Sequence, residues 1–204
     1  MISKEDGTNS IIVCPGASME ITKDEVDKYS SLITSCKVFL TQLEIKTKVT
    51  LHALKLAKKG NAITILNPAP AVEIEDEFFK YIDFFTPNET EAQFYFGKKI
   101  ESYEEAKLAG DFFLNKGVKN SIITLGEKGA YFSNASLNFS VPALNLKGKV
   151  IDTTGAGDAF NGGLAYGLSK KKQIRECLEL ANKVAGISTT KLGAGNSMPF
   201  IQNL

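Results

Sequence analysis

Short apolar runs alternate with segments of helical period along nearly the whole of this 204-residue chain, and that alternation limits the folds open to it. Residues 10–14 (SIIVC) read as a strand ending at the Pro15-Gly16 turn. Residues 22–35 read as a helix, opened by Thr22 as N-cap with Glu25 as its capping partner. A strand at 38–40 precedes a helix at 47–59, which Gly60 closes. The run 62–66 (AITIL) is a buried strand halted by Asn67-Pro68, and 82–86 is a shorter strand that stops before Pro87. Helices at 89–96, ended by Gly97, and at 103–116 lead into a strand at 121–125. Strand, helix and strand in succession with short links imply βαβ units and a mainly parallel sheet. Residues 129–150 break the rhythm: 130–133 and 137–141 predict a hairpin at a sheet edge, and helices at 155–169 and 173–190 follow.

No tandem repeat or low-complexity linker divides the chain, and its length suits one sizeable core or a single large α/β domain. A hydrophobic share of 43% supports a packed interior. Lys and Arg number 24 against 23 Asp and Glu, a net charge of +1, so the basic excess that a nucleic-acid partner needs is missing. The densest basic run, Lys170 to Lys172, reads as solvated charge at a helix end. Cys14, Cys36 and Cys177 are odd in number, form no CxxC pair, and read as small core residues in a reducing compartment. No apolar run approaches a membrane span, and the polar start MISKEDGTNS is unlike a secretory signal. A cytoplasmic enzyme without a membrane partner is the expectation.

Ligands of open α/β sheets bind beyond the carboxyl ends of the strands, which directs attention to the loops 42–46, 67–71, 86–91, 124–129 and 152–158. The most informative is the run DTTGAGDAFNGG at 152–163. Gly155 and Gly157 let the backbone curl into a helix start whose first amides point outward, a cradle for a phosphate that gains charge in a transition state. Asp158 stands at that anion site, a poor place for a carboxylate with no task. Beside a transferred phosphoryl group it can accept the proton of the attacking hydroxyl.

This run resembles the C-terminal signature of the ribokinase family of sugar kinases, and four further segments agree in the same chain order. NPAPA at 67–71 is similar to a segment of that family, and TPNETE at 86–91 resembles its NxxE element. Asn88 and Glu91, at i and i+3 on one face of a starting helix, equally suit a helix cap and its capping partner. TLGEKG at 124–129 resembles the loop that passes over the nucleotide phosphates, although alone it is an ordinary tight turn. Gln42-Leu43-Glu44 follows a strand as the family's QLE segment does; Glu44 also suits a surface glutamate at a helix start.

The resemblance runs from about Gly7 to Pro199. It implies a ribokinase-like α/β fold, a mainly parallel sheet flanked by helices, with residues 1–204 as its C-terminal nucleotide-binding and catalytic part. It implies Mg²⁺-dependent transfer of a phosphoryl group from ATP to the primary hydroxyl of a small sugar. D-ribose leads; fructose, adenosine or a related nucleoside are the alternatives. Asp158 is then the base and a sugar contact, the amides of Gly155, Ala156 and Gly157 hold the phosphoryl charge, and Glu44 meets the sugar's hydroxyls. Asn88, Thr124, Gly126, Glu127, Gly129, Gly157 and Asn182 serve the nucleotide, Asn182 near adenine with the loop 193–197. Glu91 holds Mg²⁺ through water. Asp152, Thr154, Ser188, Lys191, Gly193 and Ser197 form a site for an activating monovalent cation, K⁺.

Measured against the family pattern, the chain is N-terminally truncated: it lacks the first strand, a Gly-Gly sugar segment and most of a β-sheet lid, through which a complete chain would pair as a homodimer. A truncated homologue that binds nucleotide without turnover is therefore the rival reading. His52, the only histidine, reads as a helix-surface residue, and Phe78, Phe79, Phe84, Phe85, Phe94 and Phe96 read as core filling.

Overall fold

A computed structural model describes residues 12–147 and 149–204 of the chain. Part of the strand read at 10–14 lies outside the described residues; Ile12 to Cys14 form no strand, and Ile12 is 93% exposed. A strand is held by the ladder of a neighbour, and no described strand pairs with these residues. The helix read at 22–35 is broken into α1 (Lys23–Asp27) and α2 (Ser30–Ser35). Its Thr22–Glu25 capping box forms, but neither piece buries a residue, so no packed apolar face carries the helix through Lys28 and Tyr29.

From there the alternation holds: β1 (Val38–Thr41), α3 (Thr47–Lys59), β2 (Ile63–Leu66), β3 (Phe84–Phe85), α4 (Glu89–Phe96), α5 (Tyr103–Lys116) and β4 (Asn120–Thr124). β5 (Ala130–Asn134), β6 (Asn138–Val141), α6 (Ala156–Ser169) and α7 (Ile174–Ser188) complete it. The six strands lie in the order β1-β2-β3-β4-β5-β6. The first four are parallel, with Thr41 beside Leu66, Leu66 beside Phe85, and Phe85 beside Ser121. The links into β5 and β6 are too short for a crossover, so each of these strands runs against its predecessor and the sheet is mixed.

The chain gathers into two compact units, one holding Pro15–Leu125 and Tyr131–Ser140, the other Gly126–Ala130 and Val141–Leu204. The first centres on Phe85, whose ring meets the edges of Phe113, Phe79 and Tyr95 at 4.8, 5.7 and 5.8 Å. A turn of 3-10 helix at Asp76–Tyr81, not foreseen from the sequence, brings Phe78 and Phe79 into that core. Phe94 departs from the expected core set: it is half-exposed on the outer face of α4. Of the cysteines, Cys177 is buried as read, whereas Cys14 is exposed and Cys36 only partly covered. His52 lies on α3, where its ring bonds Asp27 of α1 at 2.6 Å. Among the described residues no helix is long and apolar enough to cross a membrane.

Candidate active site

Because β1 to β4 are parallel, their carboxyl ends share one edge, and all of them lie within the first unit. Beyond β1, Leu43 donates its N–H to the Ala69 carbonyl at 3.0 Å, tying the Gln42-Leu43-Glu44 loop to the loop after β2. Glu44 is exposed, with its amide donating to Gln42 Oε1 at 2.9 Å. Beyond β3, Asn88 caps α4: its Oδ1 accepts the Glu91 amide at 2.8 Å, and Glu91 Oε2 accepts the Asn88 amide at 2.9 Å. The capping roles open to this pair on sequence grounds are thus realised. Thr124 bridges Asn88 in parallel fashion and donates its amide to the Pro87 carbonyl at 3.0 Å. Glu44, Asn88, Glu91 and Thr124 therefore share the edge that the alternation predicted.

In the second unit, Gly126–Lys128 form an exposed 3-10 turn, and Gly129 closes it by donating to the Gly126 carbonyl at 3.0 Å. Gly155, at φ 74°, supplies the left-handed residue from which α6 starts. The cradle differs in membership from the Gly155, Ala156 and Gly157 amides the sequence led us to expect, because Ala156 donates its N–H to the Thr153 carbonyl at 3.1 Å. The amides of Gly155, Gly157 and Asp158 have no main-chain partner among the described residues. Asp158 sits exposed in the first turn, where the helix dipole favours a negative charge.

Asp152 is fully buried, yet its carboxyl is held below the usual range. Hydrogen bonding from the Thr154 side chain acts most strongly, followed by the Gly193 and Thr154 amides, at 2.8 and 2.9 Å. The predicted cation set is thereby joined in part: Asp152, Thr154 and Gly193 meet directly. Ser188 and Ser197 are buried but donate their hydroxyls to the Ala185 and Ala194 carbonyls, both at 2.7 Å, and Lys191 is exposed. Both Asp152 oxygens accept main-chain N–H groups, from Thr154 and Gly193, so a cation there would meet an ionised carboxylate already fixed in place by its amide partners. Among the described residues no three His, Cys, Asp or Glu side chains gather. A single outlying carboxylate such as Glu91 suits a hard divalent ion that keeps its water.

Asn182, on α7, donates its side-chain amide to the carbonyls of Val141 and Pro142 at 3.0 and 2.9 Å. Both amide hydrogens are used, and only Oδ1 is left for a ligand. A cavity of about 450 Å³ opens along α6 and α7, lined by Asp158, Tyr166, Leu180, Val184, Met198 and Ile201 among others. Its lining is almost wholly apolar, which does not match a sugar whose hydroxyls each need a partner.

The pfkB family of carbohydrate kinases matches this chain over residues 1–201. The chain belongs to that family. Among its pfkB relatives, a deoxyribokinase of Salmonella typhi is 32% identical over 97% of the chain. The crystal structure of a ribokinase from Thermotoga maritima is 37% identical and superposes with a TM-score of 0.85 over 97% of the chain. A ribokinase of Arabidopsis thaliana, solved with ribose and ATP, is 29% identical with a TM-score of 0.87, again over 97%. The chain spans 64% of the length of each of the three. One edge residue was left without a role by the sequence reading: Asn67 entered only as the halt of a strand and the first residue of the NPAPA segment, although a polar side chain ending an apolar strand was a visible signal.

Proposed function

We propose that this chain is the nucleotide-binding and catalytic part of a sugar kinase that transfers a phosphoryl group from ATP to the primary hydroxyl of D-ribose. The carrying observation is the start of α6, where Asp158 lies three residues past the left-handed Gly155, among amides that have no main-chain partner among the described residues. Amides so arranged favour an oxyanion, and a carboxylate beside them has a use as proton acceptor. In this reading Asp158 takes the proton of the attacking hydroxyl, while the Gly155 and Gly157 amides hold the charge of the moving phosphoryl group. Glu44 orients the sugar. Asn88 and Thr124 meet the nucleotide phosphates together with the turn Gly126, Glu127 and Gly129. Asn182 Oδ1 accepts from the adenine amino group.

Glu91 would hold Mg²⁺ through its water shell, and the ion, when bound, would offset phosphate charge. Asp152, Thr154 and Gly193 would hold K⁺ and through it steady the chain leading into α6. The kinship to ribokinases supports ribose as the acceptor, and the deoxyribokinase relative makes 2-deoxyribose the first competitor. A second reading, a homologue that binds nucleotide without turnover, is favoured by the almost wholly apolar lining of the cavity beside Asp158, which offers a sugar's hydroxyls few partners.

The test is ADP release by the chain with ribose, 2-deoxyribose, fructose and adenosine, beside calorimetric titration with a non-hydrolysable ATP analogue. We expect ribose-dependent release that Asp158→Asn cuts by about 10²–10⁴-fold while analogue binding persists. Analogue binding without ADP release from any acceptor would establish the second reading. Turnover by Asp158→Asn within a few-fold of the parent would remove Asp158 as the base.

A further inference from the structure

The side chain of Asn67 has no part in the roles given above, yet it occupies the middle of the site edge. It directly follows β2, one residue past the Thr41–Leu66 pair, and its amide donates to the Thr41 carbonyl at 3.0 Å. Strand alternation sets its side chain with Ile65, opposite to Leu66, which belongs to the core formed with Leu54, Phe85 and Phe113. Asn67 is half-buried, and its carboxamide makes no side-chain hydrogen bond among the described residues. Neither of its polar atoms is shut away from solvent, so the carboxamide is open to a ligand that can use both its donor and its acceptor.

The strand order identifies what that is. Asn67 ends the strand between β1, whose loop carries Glu44, and β3, whose loop carries Asn88 and Glu91. Neighbouring strands lie about 4.8 Å apart, so its side chain stands roughly one strand's width from either end. If the sugar lies at Glu44 and the phosphates at Asn88 and Glu91, the atoms that exchange partners lie between them. A carboxamide suits that place, since it can donate to an anionic oxygen without competing for the proton.

We propose that Asn67 is a further substrate-contacting residue of this reaction, its Nδ2 donating to a non-bridging oxygen of the phosphoryl group in flight; this rests on the kinase reading above. In that step the sugar oxygen bonds to the γ-phosphorus, the bond from phosphorus to the ADP oxygen breaks, ADP leaves, and the hydroxyl proton passes to Asp158.

The experiment compares the parent chain with Asn67→Ala in calorimetric titrations with Mg²⁺ and ADP, with and without aluminium fluoride as mimic of the moving phosphoryl group, ribose being present. Asn67→Ala is expected to lose about 10–100-fold in affinity for ADP with aluminium fluoride, the range for a hydrogen bond to a charged group. Its affinity for ADP alone should stay within about twofold, which also certifies the fold. Equal losses in both titrations would make Asn67 a structural residue and overturn the proposal. So would an unchanged affinity for the mimic, or a parent that binds ADP but gains nothing from aluminium fluoride. A parent that binds no ADP at all would bring down the kinase reading itself, a distinct failure.

Discussion

Glu91 has two uses that one substitution can separate. Its carboxylate accepts the Asn88 amide at 2.9 Å, and a glutamine carbonyl can accept the same bond, so Glu91→Gln keeps the capping box and removes only the charge. Stability should then change by less than about 0.5 kcal/mol, the range for substitutions that spare such features. The Mg²⁺ concentration that half-saturates binding of an ATP analogue should rise by about tenfold, as for other groups that hold a metal's water shell. A Mg²⁺ titration of analogue binding checks this, and an unchanged midpoint would leave Glu91 as a capping residue alone. The ambiguity was visible in the sequence, because Asn and Glu three residues apart at a helix start satisfy a cap and a metal site equally well.

Three helices with a buried face keep the bounds their punctuation predicts, whereas α7, which also buries a face, ends at Ser188, two residues short of its expected end. α3, α4 and α5 run from their expected first residue to the residue before Gly60, Gly97 and Gly117, and each buries part of one side. α1 and α2 bury nothing, and there the predicted continuous helix divides. The turn between β4 and β5 depends on Gly129, at φ 94°, where an added Cβ would fall within contact distance of the Val141 carbonyl oxygen and the Ala143 amide. Gly129→Ala therefore combines left-handed strain with overpacking and should cost about 2–5 kcal/mol, read as a shift in the chemical-denaturation midpoint. A loss below about 1 kcal/mol would mean that the loop relaxes freely, and its glycine would then matter only for ligand approach.

At the scale of the molecule, one ionic cluster ties distant segments of the first unit together. Asp83 is buried, which by itself would raise its carboxyl, but bonds from Lys119 and Lys58, at 2.8 and 2.7 Å, and from the Thr64 amide at 2.9 Å outweigh that and lower it. A carboxyl lowered in the folded state stabilises above its unfolded value, near pH 4, and that stabilisation is lost as pH falls through the folded value. Asp83→Ala should cost about 2 kcal/mol at neutral pH, discounted because Lys119 is largely solvated. The gap between parent and variant should close progressively below about pH 4 in urea melts repeated at several pH values. A gap constant from pH 7 to pH 3 would assign the loss to packing alone.

The sequence by itself determined the order and kind of most elements, the family, and the two stretches richest in chemistry, since apolar period, capping residues and glycines act over a few neighbours. Thr47–Lys59, Glu89–Phe96 and Tyr103–Lys116 were legible for that reason. Tertiary structure alone decided which of those residues meet. Strand order ranged Glu44, Asn67 and Asn88 along one edge, and Gly193 reached back across the chain to the Asp152 carboxylate. It also decided against strand at the described residues 12–14 and against the unbroken helix at 22–35, because a strand needs a partner ladder and a short helix needs a buried face. Local preference proposes an element; the contacts it finds determine whether it persists.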